Sequence, residues 1–227
     1  MICSIHQPDF LPYLGYFYKM SQSDVFVFLN DAQYSKADHH EYNEIVKPDG
    51  TRVRIKVPIQ YHFPCPMTEV KIKGQEWLLK LIDQIEECYP ETRGIERDTV
   101  YRLIRTITET ATSLAAMNLV INTVIARWFG INCTIHSSST LGITTKSNQR
   151  LIDICKAVGA DTYLSGTGAR AYLDEDMFRR NGIDVVYSDY EPVPYPQQVK
   201  GEFVPNLSVI DFIMNNGYDF ARYYGRR

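Results

Sequence analysis

His6, Gln7 and Asp9 stand within four residues of one another, between a short apolar run and a bend set by Pro8 and Pro12. An imidazole titrates near neutrality, so His6 is a candidate general base or phosphate contact. Gln7 and Asp9 offer polar atoms to a substrate. Gly15 permits close approach at the start of a helix on which Tyr16 and Lys19 follow. A second stretch gathers Asp31, Gln33, Tyr34, Lys36, His39 and His40 after the run Val-Phe-Val-Phe-Leu. Asp31 and His39 are candidates for acid–base work, and the others for substrate contact. A metal reading of this stretch is set aside, because the adjacent His39 and His40 point to opposite faces of an extended chain. No cofactor is called for.

Three further groups carry recognisable chemistry. Arg52, Arg54 and Lys56 fall on one face of an alternating strand and suit a phosphate or pyrophosphate. The alternative is a solvated outer face. Ser165-Gly166-Thr167-Gly168, with Arg170 and Tyr172, forms a glycine-rich turn whose free N–H groups suit an anion. It lacks the dinucleotide and P-loop patterns, and no GxSxG supports Ser165 as a nucleophile. Tyr187, Tyr190, Tyr195, Gln197 and Gln198 lie in or beside a segment stiffened by prolines, which suits a cover over a ligand or simple surface packing.

The elements that must position these groups follow from periodicity. Residues 2–5 read as a short strand and 25–29 as a fully buried one, with a helix over 13–20 between them. Pro48-Asp49-Gly50 is a turn, and strands follow over 52–59 and 69–73. Apolar residues at helical spacing predict helices over 76–89 and 100–110, and over 113–129 with Ser113 as cap. The last third reads as strand 131–135, helix 147–158, strand 162–164, a helix reaching 180, strand 184–187 and a helix over 207–215. The pattern predicts an α/β fold: a mainly parallel, Rossmann-like sheet flanked by helices, in a single domain over 1–227 with a β-rich excursion at about 45–75. Ligands of such sheets sit beyond the carboxyl ends of the strands, where His6-Gln7, Asn30-Asp31 and Ser165-Gly166 fall.

Composition narrows the classes. The chain has 227 residues, 44% of them hydrophobic, and a net charge of −3. That excludes whole-chain disorder and a broadly basic nucleic-acid coat. No apolar run approaches a bilayer span, and the first residues show no basic-then-apolar signal, so a cytoplasmic location is expected. Five dispersed cysteines without a CxxC fit reduced thiols. The 16 tyrosines are the compositional excess, and tyrosine concentrates where polar ligands are held.

Taken in order, several segments resemble the WbqC-like family over nearly the whole chain. They are His6-Gln7-Pro8 with Leu11-Pro12 and Gly15-Tyr16-Phe17, Ser23-Asp24-Val25-Phe26 with Asp31-Ala32-Gln33-Tyr34, Tyr163-Leu164-Ser165-Gly166 with Ala169-Arg170-Ala171-Tyr172-Leu173, then Tyr195-Pro196-Gln197 and Leu207-Ser208-Val209-Ile210-Asp211. The resemblance implies a place in surface-polysaccharide pathways, adding an amino acid such as glycine to an amino sugar. Related chemistry occurs in phage DNA hypermodification, where an amino-acid amine displaces pyrophosphate from an activated 5-hydroxymethyl pyrimidine. The chain departs from the family pattern in two places. Asp38-His39-His40-Glu41-Tyr42-Asn43-Glu44 replaces an expected Trp and Asn-Arg pair, and the strand from Arg52 to Lys56 is more basic than usual.

The expectation is therefore a transferase. It would join an amino acid, glycine by preference, to a phosphate-activated acceptor, tilted by the basic strand toward a pyrophosphorylated pyrimidine in DNA. The partners are that acceptor and a free amino acid, with no membrane. Two alternatives remain: transfer to a nucleotide-linked amino sugar, and a non-enzymatic module that binds a phosphorylated ligand.

Overall fold

Strand β1 (Ile2–His6) leads through helix α1 (Leu14–Ser21) to β2 (Val25–Phe28). In β2 the side chains alternate between two cores. Phe26 and Phe28 pack with Tyr16, Phe17 and Met20 on one side of the sheet. Val25 and Val27 join Cys3 and Ile5 on the other, against Ile152, Cys155 and Phe178. A strand buried on both faces explains the uninterrupted apolar run. In this computed structural model the described residues are 1–92 and 95–225.

After β2 the chain leaves the sheet. It forms the hairpin β3 (Tyr42–Val46) and β4 (Arg52–Lys56), the small hairpin β5 (Ile59–Gln60) and β6 (Lys71–Ile72), and helices α2 (Trp77–Cys88), α3 (Ile95–Thr110) and α4 (Leu114–Trp128). It re-enters the sheet as β7 (Thr134–Ser137), then α5 (Ser147–Ala157), β8 (Thr162–Ser165), α6 (Glu175–Arg180) and β9 (Asp184–Tyr187). Helices α7 (Val209–Asn216) and α8 (Phe220–Tyr224) follow the proline-rich segment. The sheet order is β7-β2-β1-β8-β9, and every pairing in it is parallel. From β1 the chain steps one way to β2 and β7. It then crosses back to β8, on the other side of β1, and continues to β9. The carboxyl ends of β1 and β8 therefore flank the point where the winding reverses, the place where doubly wound sheets bind ligands.

Several boundaries differ from the sequence reading, for local reasons. The strand over 52–59 breaks at Pro58, which has no N–H for a ladder, into β4 and β5. The strand over 69–73 is a 3₁₀ turn (Met67–Glu69) followed by the two-residue β6. Strand β7 begins at Thr134 rather than at 131, because the Arg127 guanidinium takes the carbonyls of Ile131 (2.7 Å) and Cys133 (3.1 Å). The helix reaching 180 is a 3₁₀ turn (Thr167–Ala171) and a separate α6, capped by the Asp174 side chain on Met177 N–H. Strand β3 and helix α8 had no counterpart in the prediction.

Candidate active site

A cleft of about 1210 Å³ opens at the β1/β8 switch point. His6, the last residue of β1, lines it with 39% of its side chain open. Its Nδ1 lies 2.9 Å from the Gln7 carbonyl oxygen. A carbonyl can only accept, so Nδ1 carries the proton and Nε2 keeps the lone pair. Tyr16 supports the group from below: its ring meets the imidazole edge-on at 4.8 Å, and its hydroxyl donates to the same Gln7 carbonyl at 3.0 Å. Burial, and next the charge of Lys19, push the His6 pKa down to about 4, with partial relief from Asp9. The imidazole is therefore neutral at pH 7.

Lys19 lies under the site from α1, buried, with Nζ donating to the Ile5 carbonyl at 3.3 Å. Burial lowers its pKa to about 7, against the pull of Asp9. Asp9 accepts from His40 Nδ1 at 2.7 Å through Oδ1, while Oδ2 stands 3.8 Å from His6 Nδ1. Burial alone would raise the Asp9 pKa. The His40 hydrogen bond and the nearby histidines outweigh it and hold the carboxyl below its usual range. His40 is only 2% exposed; among the described residues its Nε2 has no hydrogen-bond partner, and it lies 3.7 Å from Asp38.

The loop carrying Asp9 is tied down by buried amides that the sequence reading did not single out. Asn118 of α4 donates to the carbonyls of Pro8 (2.9 Å) and His40 (2.7 Å). Asn122, one turn on, donates to the Asp9 carbonyl (2.9 Å). Asn43 of β3 holds the carbonyls of Phe10 and Leu11, and Ser208 takes Leu11 as well. Leu11 needs this support, because its φ is +43°. Two asparagines four apart on an apolar helix were the available signal.

A cation completes the cleft. Arg150 of α5 reaches Asp31 Oδ1 at 2.6 Å, and Asp31 also accepts from Ser138. The Asp31 oxygen uses a single N–H on Nη2, so the rest of that end of the guanidinium remains for an anion; the Nε is buried and, among the described residues, has no partner. Lys146 stands on the same wall. Lys146 is the N-cap of α5, and among the described residues no side chain caps its first turn; the Arg150 N–H is taken by the Lys146 carbonyl at 3.3 Å. Tyr172, 69% exposed, and Tyr13 add aromatic faces at the opening.

Among the predicted residues, the fold gathers His6, Gln7, Asp9, Asp31, Gln33, His39, His40 and Tyr172 on this cleft. Tyr16 and Lys19 lie directly beneath. The rest are elsewhere. Tyr34 is buried beside Tyr61, and Lys36 lies 5.5 Å over the Tyr61 ring. Arg52, Arg54 and Lys56 are on the hairpin outside the cleft; Glu44 pairs with both arginines (3.2 and 3.8 Å) and Glu41 with the lysine (3.8 Å). Ser165 and Gly166 end β8 without lining the cleft, whose β8 wall is Tyr163 instead. Arg170 lies 4.4 Å over Tyr187. Tyr195 and Gln197 do not cover the site: with Tyr89 they bind the buried Asp211 at 2.7 to 2.8 Å. Among the described residues, no group of three or more His, Cys, Asp or Glu side chains is arranged to hold a metal ion. Nor is any helix among them long and apolar enough to cross a membrane. All five cysteines are buried, and among the described residues none forms a disulfide.

These features define a doubly wound α/β protein whose polar residues converge at the sheet's switch point. The chain belongs to the WbqC-like protein family, which matches residues 7–223. It is also similar to "Uncharacterized protein Rv1507c" of Mycobacterium tuberculosis, 27% identical over 224 residues that cover 97% of each chain.

Proposed function

We propose that the protein is a transferase that joins an amino acid, through its amine, to a phosphate-activated acceptor. The observation that carries this reading is one cleft with a neutral, tautomer-fixed imidazole and an incompletely used guanidinium. His6 Nε2 takes a proton from the ammonium. The freed amine attacks the activated carbon as the C–O bond to phosphate breaks, and the leaving group departs with the electron pair toward Arg150 and Lys146. The second N–H proton leaves to water. Negative charge bound in the cleft raises the proton affinity of His6, so the base strengthens when the acceptor arrives.

The acceptor of this proposal is a pyrophosphorylated 5-hydroxymethyl pyrimidine in DNA. Tyr172 and Tyr13 at the opening suit a flat base presented out of the stack. One observation favours a second reading, a nucleotide-linked amino sugar: Arg52, Arg54 and Lys56 are matched by Glu44 and Glu41, so they form no free track for a DNA backbone. Labelled glycine is incubated with the protein and each acceptor in turn. Label in DNA supports the first reading, and label in the sugar, with its nucleoside diphosphate released, the second. No label in either, with both acceptors verified as intact, refutes transfer.

A further inference from the structure

Asp9 lies on the wall of two hollows. One is the main cleft. The other is a side pocket of about 380 Å³ with Pro12, Tyr13, Tyr190 and Pro192 as walls and His39 and Asn206 among its polar groups. Tyr13 belongs to both hollows and meets Tyr190 edge-on at 5.6 Å. Gly15 makes that arrangement possible, since a Cβ there would come within 2.8 Å of Tyr190 Cδ1. The two Asp9 oxygens are used unequally. Oδ1 is committed to His40, whereas Oδ2 takes no hydrogen bond among the described residues and lies 3.8 Å from His6 Nδ1. A carboxylate that lines both hollows and stands 3.8 Å from the Nδ1 edge of His6 is matched by a primary ammonium.

We infer that the side pocket is the donor subsite, taking a free amino acid with its ammonium on Asp9 Oδ2 beside His6. Its role as donor rests on the transfer reading above; the binding itself needs only the pocket and its carboxylate. The volume lies within the range of roughly 300–1,000 Å³ typical of small-molecule sites, larger than glycine requires. The walls then accept an amino acid with a side chain, packed against Tyr13, Tyr190 and Pro192, so the donor class is wider than glycine.

Calorimetric titration of the full chain with glycine, alanine and N-acetylglycine, with and without excess inorganic pyrophosphate, tests this. Glycine and alanine bind and N-acetylglycine does not. Asp9→Asn weakens glycine about tenfold or more, the worth of a hydrogen bond to a charged group. Because Asp9→Asn also touches His40, Pro192→Trp provides a second arm: it alters an exposed rim residue and blocks the amino acid while leaving pyrophosphate binding unchanged. Equal binding of glycine and N-acetylglycine, glycine binding unaltered in both variants, or no glycine binding in either condition overturns the assignment. Failure of the transfer reading looks different: pyrophosphate does not bind, or binds equally well to Arg150→Gln, while glycine still occupies the side pocket.

Discussion

Replacing Asn118 by leucine keeps the branching of the side chain and removes two hydrogen bonds. The side-chain amide of Asn118 is fully buried and donates to Pro8 and His40 at 2.9 and 2.7 Å. Without it both carbonyls lose these donors inside the protein. An orphaned buried group costs about 1–3 kcal/mol, so two give a loss of about 3 kcal/mol after partial relaxation. For a chain of this length that lowers the melting temperature by about 6–12 °C. Urea unfolding followed by circular dichroism measures the change. Because the two carbonyls belong to the segments that bring Asp9 against His40, transfer activity falls too. A loss under about 1 kcal/mol would refute the reasoning, since it would mean that the loop holds its path without the amide.

Lys19→Met raises the His6 pKa above its value of about 4, though not to the ordinary imidazole value, since burial remains the larger cause. Proton NMR titration reads this, and an unmoved pKa contradicts the electrostatic role. The same variant tests linkage. Folding lowers the Lys19 pKa from 10.5 to about 7, so the unfolded chain binds more protons between those values and stability rises with pH across that window. Lys19→Met flattens that rise in urea midpoints, and an unchanged slope contradicts the assignment. Arg150→Gln weakens inorganic pyrophosphate about tenfold or more by calorimetry, with Arg54→Gln as an unaffected control; equal losses would return the anion site to the hairpin. Asp211→Ala strands the donors of Tyr89, Tyr195 and Gln197 and lowers stability by about 3 kcal/mol or more while pyrophosphate binding persists. Lost binding in a folded Asp211→Ala protein would restore Tyr195 and Gln197 to the site.

The parallel sheet was legible because burial on both faces writes itself into composition: Val25 to Phe28 has no polar residue to interrupt it. Helix α4 was legible through its Ser113 cap, which accepts from Ala116 N–H as the spacing predicts. The β1 end of the site was legible because His6, Gln7 and Asp9 are neighbours in sequence. What failed were pairings between distant segments. The basic face looked unopposed because β3 went unseen; in the hairpin Glu44 sits directly across from Arg54. Arg150 gave no signal on α5, since its partner Asp31 is 119 positions away. Tyr195 and Gln197 resembled ligand residues for the same reason: a tyrosine hydroxyl and an amide satisfy a buried carboxylate as readily as a substrate.

In the proposed reaction His6 drives amine transfer with departure of a phosphate leaving group. Phosphorus NMR of a single reaction, with the amino-acid adduct counted in parallel, tests it most directly. One pyrophosphate, or one nucleoside diphosphate from a nucleotide-linked acceptor, is released per amino acid joined, and His6→Gln loses both. Release that proceeds without an adduct, or an adduct formed undiminished by His6→Gln, would contradict it.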